Sequence, residues 1–313
     1  MINLVNVTKR YDNEIAVNNL SMRINRGELC VLAGESGCGK STTLRMINRL
    51  IKYDEGKIEI DGKDVSTYKE EELRRGIGYV IQNVGLFPHM NVRDNISIVP
   101  RLLKQDEDKI LKRVKELIDM VGMKVDDYIN KFPDQLSGGE AQRIGVARAL
   151  AADPEIILMD EPFGAVDPIN RVNLQDQFLT IQKELKKTVV FVTHDLEEVI
   201  KMGDKVAIMS NGVLQCFDTA KNILKTGNEF TKGFMGNESY IDLLSKYPIA
   251  KYININDKTE HKSFALISQN AKEVLSIMIS SGESIISIKE NNKNIYGSIS
   301  FNDILNILKE EDS

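Results

Sequence analysis

The sequence predicts an α/β fold, a largely parallel sheet flanked by helices, followed by a small C-terminal α+β domain. Two observations carry this expectation. Short, nearly all-apolar runs, ELCVLAG (28–34), EIILMDE (155–161) and TVVFVTH (188–194), alternate with segments of helical period. Strands buried on both faces between crossover helices have this texture. A glycine-rich loop, GESGCGKST at 34–42, joins the first of these runs to a helix.

The elements follow in order. Residues 1–25 alternate apolar and polar in the β manner, through Ile2, Leu4 and Val7 and then Leu20, Met22 and Ile24. After the glycine loop, Leu44, Ile47, Leu50 and Ile51 stand at helical spacing. GKIEIDGKDV predicts a hairpin turning at Asp61-Gly62, and IGYVIQ (77–82) another buried strand. Glu70 to Glu72 read as a solvated helix face. From about 106, Ile110, Val114, Leu117, Ile118 and Val121 share one helical face. A glycine pair opens the next helix, LSGGEAQRIGVARALAADP at 136–154. Asp167 and Pro168 are suited to the N-cap and first turn of a helix that repeats Leu174, Phe178, Ile181 and Leu185. Asn211-Gly212 predicts a second hairpin turn.

Beyond about residue 237 the texture changes. FALIS, AKEVLSIMISSG, SIISI, IYGSIS and FNDILNILKE read as strand, helix, strand, strand, helix. The expected organisation is one large domain over 1–237, a linker at 238–262 and a small domain over 263–313.

Bulk composition limits the function. Net charge is −5, from 41 basic and 46 acidic residues, which leaves no basic footprint for nucleic acid. Cys30, Cys38 and Cys216 have no paired spacing, so neither a disulfide framework nor a zinc site is expected. A reducing compartment fits that usage. The N-terminus has no signal-peptide pattern, and no apolar run approaches the roughly 20 residues needed to cross a bilayer. A soluble chain is expected, carried to any membrane by another protein.

Chemistry concentrates in the loop Gly34, Glu35, Ser36, Gly37, Cys38, Gly39, Lys40, Ser41 and Thr42. Gly34, Gly39, Lys40 and Ser41 have phosphate-loop spacing between a strand and a helix. Glycines let the backbone curl so that N–H groups converge with the helix N-terminus on an anion. Lys40 would reach the β- and γ-phosphates, Ser41 would ligate Mg²⁺, and Thr42 would add a hydroxyl. Cys38 stands at a variable position of the loop. At the end of the 155–161 strand, Asp160 suits an outer Mg²⁺ ligand, and Glu161 is placed to polarise an attacking water. The expected cofactors are ATP, or another nucleoside triphosphate, and Mg²⁺.

With LSGGE at Leu136 to Glu140 in hand, residues 1–235 resemble the ATP-binding subunits of ATP-binding-cassette (ABC) transporters. The markers stand in order: Tyr11, the loop at 34–42, Gln82, Ser137-Gly138-Gly139, Asp160-Glu161, GAVD at 164–167 and His194. The resemblance implies a P-loop cassette with a RecA-like core and antiparallel β and helical subdomains. It implies that Tyr11 stacks on adenine and that Gln82 links Mg²⁺ to the permease contact. Ser137, Gly138 and Gly139 would cap the γ-phosphate bound by a second copy, in a head-to-tail pair whose Asp167 loop adjoins the site. His194 would hold the γ-phosphate and the attacking water. Two departures, Glu140 where glutamine is commoner and GAVD in place of a serine-first loop, remove no group the mechanism needs. His89 and His261 are read as structural.

TTLRMINRLI, MDEPFGAVDPINR and FVTHDLEEVIKMGDKVAIMSNGVLQ look most similar to the glycine betaine/carnitine/choline subfamily of osmoprotectant importers. That likeness implies a permease and a substrate-binding protein as partners and the cytoplasmic face of the inner membrane as the workplace. An importer for another small solute, a polyamine or an amino acid, is the alternative. Residues 264–310 resemble one cystathionine-β-synthase-like (CBS) motif, which implies sensing of ionic strength or an adenine-nucleotide ligand. CBS motifs normally work in pairs. A single copy would pair across a dimer or serve as a docking tail.

Overall fold

The computed structural model describes residues 1–12, 14–81, 85–164, 166–236, 239–290 and 294–308. The chain opens with β1 (Ile2–Tyr11) and β2 (Glu14–Ile24), then β3 (Leu29–Gly34) and α1 (Lys40–Ile47). A hairpin of β4 (Glu55–Ile60) and β5 (Lys63–Asp64) leads to α2 (Glu70–Arg75) and β6 (Ile77–Val80). Four helices follow: α3 (Val92–Leu102), α4 (Glu107–Met120), α5 (Val125–Tyr128) and α6 (Gly138–Leu150). Then come β7 (Ile156–Asp160), α7 (Pro168–Leu185), β8 (Thr188–Val192), α8 (Leu196–Met202), β9 (Lys205–Ser210) and β10 (Val213–Asp218).

By Cα proximity the chain divides into two compact units, Met1–Asp195 with Met202–Thr219, and Leu196–Lys201 with Ala220–Ser313. In the first, the described residues form two sheets. The six-stranded sheet has the order β10-β9-β3-β8-β7-β6, parallel from β9 to β6, with β10 antiparallel at its edge. Every residue of β3, β7 and β8 is buried, as the unbroken apolar runs require. The second sheet, β2-β1-β4-β5, is antiparallel. Its inner residues Ile2, Leu4, Leu20 and Ile58 share one core with Leu44 and Ile47 of α1 and Leu32 of β3. Both dipeptides read as hairpin turns have two positive φ values, Asp61 and Gly62 at 51° and 78°, Asn211 and Gly212 at 47° and 77°. That is the twist-matched turn of a tight hairpin. Helices α3, α4 and α6 pack on one another, through faces that bury Ile96, Ile110, Val114, Leu117 and Ile144.

The second unit contains α8's first turns, α9 (Ala220–Thr226), α10 (Glu229–Met235), α11 (Ser239–Leu243), β11 (Phe264–Leu266), α12 (Ala271–Ser281), β12 (Ile285–Lys289), β13 (Ile295–Ser300) and α13 (Phe301–Ile307). Its strands pair in the order β11-β12-β13, parallel then antiparallel. The segment expected as a linker is folded where described. Leu244 and Ile249, each on a short helical turn, lie in one core with Val274, Ile286, Ile299 and Ile304. Alternation is weak there because such turns bury single side chains, so no period announces them. Asp257 fastens the approach to β11 by accepting from Ser298 Oγ at 2.7 Å and Thr259 Oγ1 at 2.6 Å. The hydrogen bond from Thr259, with that from Ser298, holds the Asp257 carboxyl down to about 2.

Phe191, fully buried on β8, lies 5.6 Å from the Phe163 ring. Phe191→Ala should cost about 3–5 kcal/mol of unfolding free energy, read from the urea midpoint at unchanged slope. A loss below about 1 kcal/mol would mean that this strand is not central to the core.

Candidate active site

Strand register assembles the site. In β8, Val192 pairs with Leu32 of β3 on one side and with Asp160 of β7 on the other. The ladder runs one step further, since Thr193 N donates to Leu32 O at 3.2 Å and Glu161 N to Val192 O at 3.0 Å. The carboxyl ends of three parallel strands therefore finish together. Gly34, Glu161 and His194 leave the sheet at one edge, where open α/β sheets bind ligands.

The loop after β3 is shaped by glycine. Gly34 has φ 144°, and a Cβ there would lie 2.2 Å from the Met209 carbonyl oxygen. Gly39 has φ 101° and leaves 2.4 Å between a Cβ and Ala16 O. At both positions the side-chain-free backbone is obligatory. Gly39 is the N-cap of α1 and provides no side-chain cap, so the first N–H groups of the helix are left for an anion. Lys40 is 6% exposed. Its Nζ donates to Gly34 O and Glu35 O, both at 2.7 Å, which draws the loop around the ammonium. Cys38 Sγ lies 3.7 Å from the same Nζ. Ser41 Oγ donates to Asp160 Oδ1 at 2.7 Å, and Thr42 is half-buried beside it.

Asp160 is buried at the end of β7. Burial pushes its carboxyl up, against the lowering pull of the Ser41 hydrogen bond and of the Arg45 and Lys40 charges. Glu161 sits in the left-handed region at φ 46°, strained for a residue with a side chain and common at functional positions. Its Oε1 lies 3.2 Å from His194 Nδ1. The chain thus brings together a cationic phosphate cradle, a hydroxyl–carboxylate pair and a carboxylate–imidazole pair.

The structure fits a bound Mg²⁺–nucleotide on its own terms. The cradle offers N–H donors and an ammonium to phosphates. Among the described residues no group of three or more His, Cys, Asp or Glu could hold a metal alone. Ser41 and Asp160 offer a hydroxyl and a carboxylate oxygen side by side, ligand types that Mg²⁺ takes together with phosphate oxygens.

Tyr11, at the end of β1, is 45% exposed and pairs with Glu14. The β2 residue Ala16, just beyond, is the one whose carbonyl abuts Gly39. The start of β2 therefore lies beside the loop. Gln82 lies outside the described residues. Asp167 is exposed immediately before α7. Ser137 is the N-cap of α6 in a capping box: its Oγ accepts from Glu140 N at 3.3 Å, and Glu140 Oε2 accepts from Ser137 N at 2.7 Å. This accounts for Glu140, because a carboxylate closes the box as an amide would. Tyr128 also donates to Glu140 and is the main cause of its lowered pKa. These bonds keep Ser137, Gly138 and Gly139 at the head of α6, a second helix N-terminus in the same chain. His89 is exposed beside Phe87, and His261 is half-buried in the small unit.

Sequence reasoning missed Arg171. Its Nη1 lies 3.2 Å from Asp195 Oδ2, and Nη2 donates to Val166 O at 3.1 Å. Asp195 is 24 residues away in sequence, and no local pattern signals the pair.

The description ABC transporter belongs to a family model that matches residues 17–164. Over 244 residues the chain is 48% identical to the osmoprotectant import ATP-binding protein OsmV of Salmonella typhimurium, covering 76% of this chain and 64% of that protein. The chain thus spans slightly less than two thirds of that relative's length. Over 307 residues it is 38% identical to the glycine betaine uptake system ATP-binding protein YehX of Escherichia coli, covering 97% of this chain and 99% of that one. A solved dimeric post-hydrolysis state of the ATP-binding cassette MJ0796, bound to ADP and Pi, superposes with a TM-score of 0.64 at 34% identity. That match covers 70% of this chain and 98% of the solved one.

The raised Asp160 pKa has a consequence for stability. The folded state holds this proton more tightly than the unfolded chain, so the contribution is fully present at low pH and is lost as pH rises through the folded pKa. Asp160→Asn keeps an acceptor for Ser41 and removes the buried charge. The nucleotide-free variant should melt above the wild type at about pH 8 and close to it at about pH 4. The same difference in Tm at both values would show that ionisation of Asp160 is not responsible.

Proposed function

The chain belongs to the ABC transporter family, and on that premise we propose that it is the ATP-hydrolysing subunit powering import of a quaternary-amine osmoprotectant through a partner permease. The observation that carries this reading is the shared strand edge, which holds the Lys40 loop, the Ser41–Asp160 pair and the Glu161–His194 pair together.

In this reading the Gly34–Thr42 backbone, with Lys40 and Thr42, binds the phosphates, and Tyr11 stacks on the adenine. Ser41, Asp160 and Gln82 hold Mg²⁺, directly or through water. Bound Mg²⁺–ATP supplies an electrophilic γ-phosphorus and a good leaving group. Glu161 accepts a proton from the attacking water, and His194 orients the Glu161 carboxylate through their 3.2 Å contact. The head of α6, with Ser137, Gly138 and Gly139, is a second anion seat for the nucleotide of a second copy, and Asp167 adjoins that junction. ATP thereby joins two cassettes head to tail, and loss of the γ-phosphate releases them.

A cleft of about 350 Å³ supports a permease partner. Its lining includes Arg74, Arg75, Tyr79, Phe87 and Arg148, and Phe87 is 44% exposed. An apolar floor bordered by arginines, of which Arg74 and Arg75 pair with Glu70 and Glu71, suits an amphipathic segment of that partner. Among the described residues no helix is long and apolar enough to cross a membrane. The proposed location follows from the permease partner: peripheral, on the cytoplasmic face of the inner membrane. The likeness to the osmoprotectant importer subunit OsmV and the glycine betaine uptake subunit YehX supports glycine betaine as the cargo, with carnitine and choline as related quaternary amines. A polyamine or an amino acid is the alternative solute, since permease and binding protein choose the cargo. No nucleic-acid partner is proposed for a chain of net charge −5. The proposed functional division is a cassette over 1–237, a connecting segment over 238–262 whose Leu244 and Ile249 join the core of the small unit, and a CBS-like regulatory domain over 263–313. That domain senses ionic strength or takes an adenine nucleotide.

Glu161→Gln should retain ATP binding, lower turnover at least about 100-fold and accumulate ATP-bound dimers on gel filtration. Wild-type turnover in this variant would remove Glu161 from the reaction. In vesicles holding the permease and the binding protein, glycine betaine, choline or carnitine should stimulate ATPase activity, and the stimulation should rise with salt. Stimulation by proline or a polyamine alone, insensitive to salt, would keep the ATPase and discard the osmotic reading.

A further inference from the structure

The bonds of Arg171 connect parts of the site that the proposed reaction uses separately. Arg171 lies in the first turns of α7, where its own N donates to Asp167 O at 2.9 Å. Its guanidinium forks. One arm reaches Val166 O, in the loop that follows Glu161, and the other reaches Asp195, next to His194. Val166 is 3% exposed, and its Cγ1 would lie 3.6 Å from a Cβ at Gly139, so it packs on the signature turn. Asp195 is tied back to the sheet, since its N donates to Thr193 Oγ1 at 3.0 Å and Thr193 N donates to Leu32 O. Between them, His194 faces Glu161. Val166 thus borders Gly139, and through Val166 O, Arg171 and Asp195 a hydrogen-bonded path leads to the chain neighbour of His194, which faces Glu161.

We propose that Arg171 is a positioning residue that couples the two nucleotide sites of the cassette pair. The inference rests on the functional reading above. There, the Gly139 turn of each copy meets the partner's nucleotide, while His194 and Glu161 meet the copy's own. Arg171 is the strut between these two ends. Movement of the signature turn when it engages the partner's phosphate is transmitted through Val166 O to the guanidinium, and from there to Asp195 and His194. The planar fork is essential to this role, because it holds two acceptors at a fixed separation and a lysine ammonium does not. The ion pair itself is half-exposed, with side chains 28% and 31% accessible. Geometry, rather than stability, is its main contribution.

The test uses the full chain assembled with its permease in vesicles, with turnover measured against ATP concentration. Arg171→Lys keeps the charge and loses the fork, Asp195→Asn weakens one arm, and Arg171→Ala removes both. In the Lys and Asn variants, kcat should fall about 3- to 30-fold and the Hill coefficient for ATP should drop toward one. The Kd for ATP and the Tm should stay at wild-type values, a split that a merely structural role does not produce. In a double-mutant cycle, the effects of Arg171→Ala and Asp195→Ala on kcat should be non-additive. Wild-type kcat and Hill coefficient in both Arg171→Lys and Asp195→Asn would overturn the proposal, as would a fall in kcat that follows a fall in Tm. If Arg171→Ala does not fold, the other two variants decide. Absence of ATP hydrolysis by the wild-type assembly would instead remove the functional reading, and the strut with it.

Discussion

The shared register of β3, β8 and β7 is the constraint on which the remainder of the site depends. Leu32 and Asp160 both pair with Val192, so the three strands end at one level and their loops emerge side by side. A slip of one residue in either pairing would turn every side chain of that strand to the opposite face. In strands that are apolar on both faces, polarity alone specifies register weakly. The polar ends supply what the interior lacks. Where β3 approaches the Met209 carbonyl only a glycine fits, and Gly34 stands there, while Ser41 can donate to Asp160 only when α1 and β7 are correctly offset. The features that make the site also lock the sheet that carries it.

Burial dominates the electrostatics of that site. Lys40 is nearly buried and satisfied by carbonyl oxygens rather than by a carboxylate. Asp160 is buried next to a neutral hydroxyl, and burial raises its pKa. Buried charges of this kind cost stability unless a partner compensates them. The Arg45 and Lys40 charges lower the Asp160 pKa without overcoming its burial, and phosphates beside Lys40 and a divalent ion beside Asp160 would add charge of the complementary sign. Glu161 adds backbone strain at the same edge. At the head of α6 the balance is different. There the Ser137–Glu140 capping box satisfies two backbone donors, and the glycine amides remain at the turn.

The small unit has its own logic. Its core is built from Ile286, Ile288 and Ile299 on the sheet and Val274, Ile304 and Ile307 on two helices. Both helices are opened by capping boxes, at Asn270 with Glu273 and at Ser300 with Asp303. Polar side chains on the strands, Ser287 and Ser298, are buried because the 254–261 segment crosses them and hydrogen-bonds to both. Burial of serine within a strand is thus explained by a loop rather than by a ligand.

The sequence alone determined β3, β6, β7 and β8 as buried strands, both tight hairpin turns and the phosphate loop, whereas β9, buried beside β3, was legible only as the first arm of a hairpin. The former are local: apolar run length, Asn-Gly and Asp-Gly pairs, and glycine spacing act over a few residues. Glu161 was legible as a candidate because it directly follows a buried strand, and His194 through the resemblance carried by the ordered markers. Their 3.2 Å contact was not, since it depends on β7 and β8 being neighbours. The same holds for Ser41 with Asp160, 119 residues apart, and for the folding of residues 239–252, whose single buried side chains Leu244 and Ile249 make no period. Arg171 lies furthest from any sequence signal. An arginine early in a helix reads as a solvated charge, and only the tertiary structure places a carbonyl and a carboxylate at the two ends of its fork.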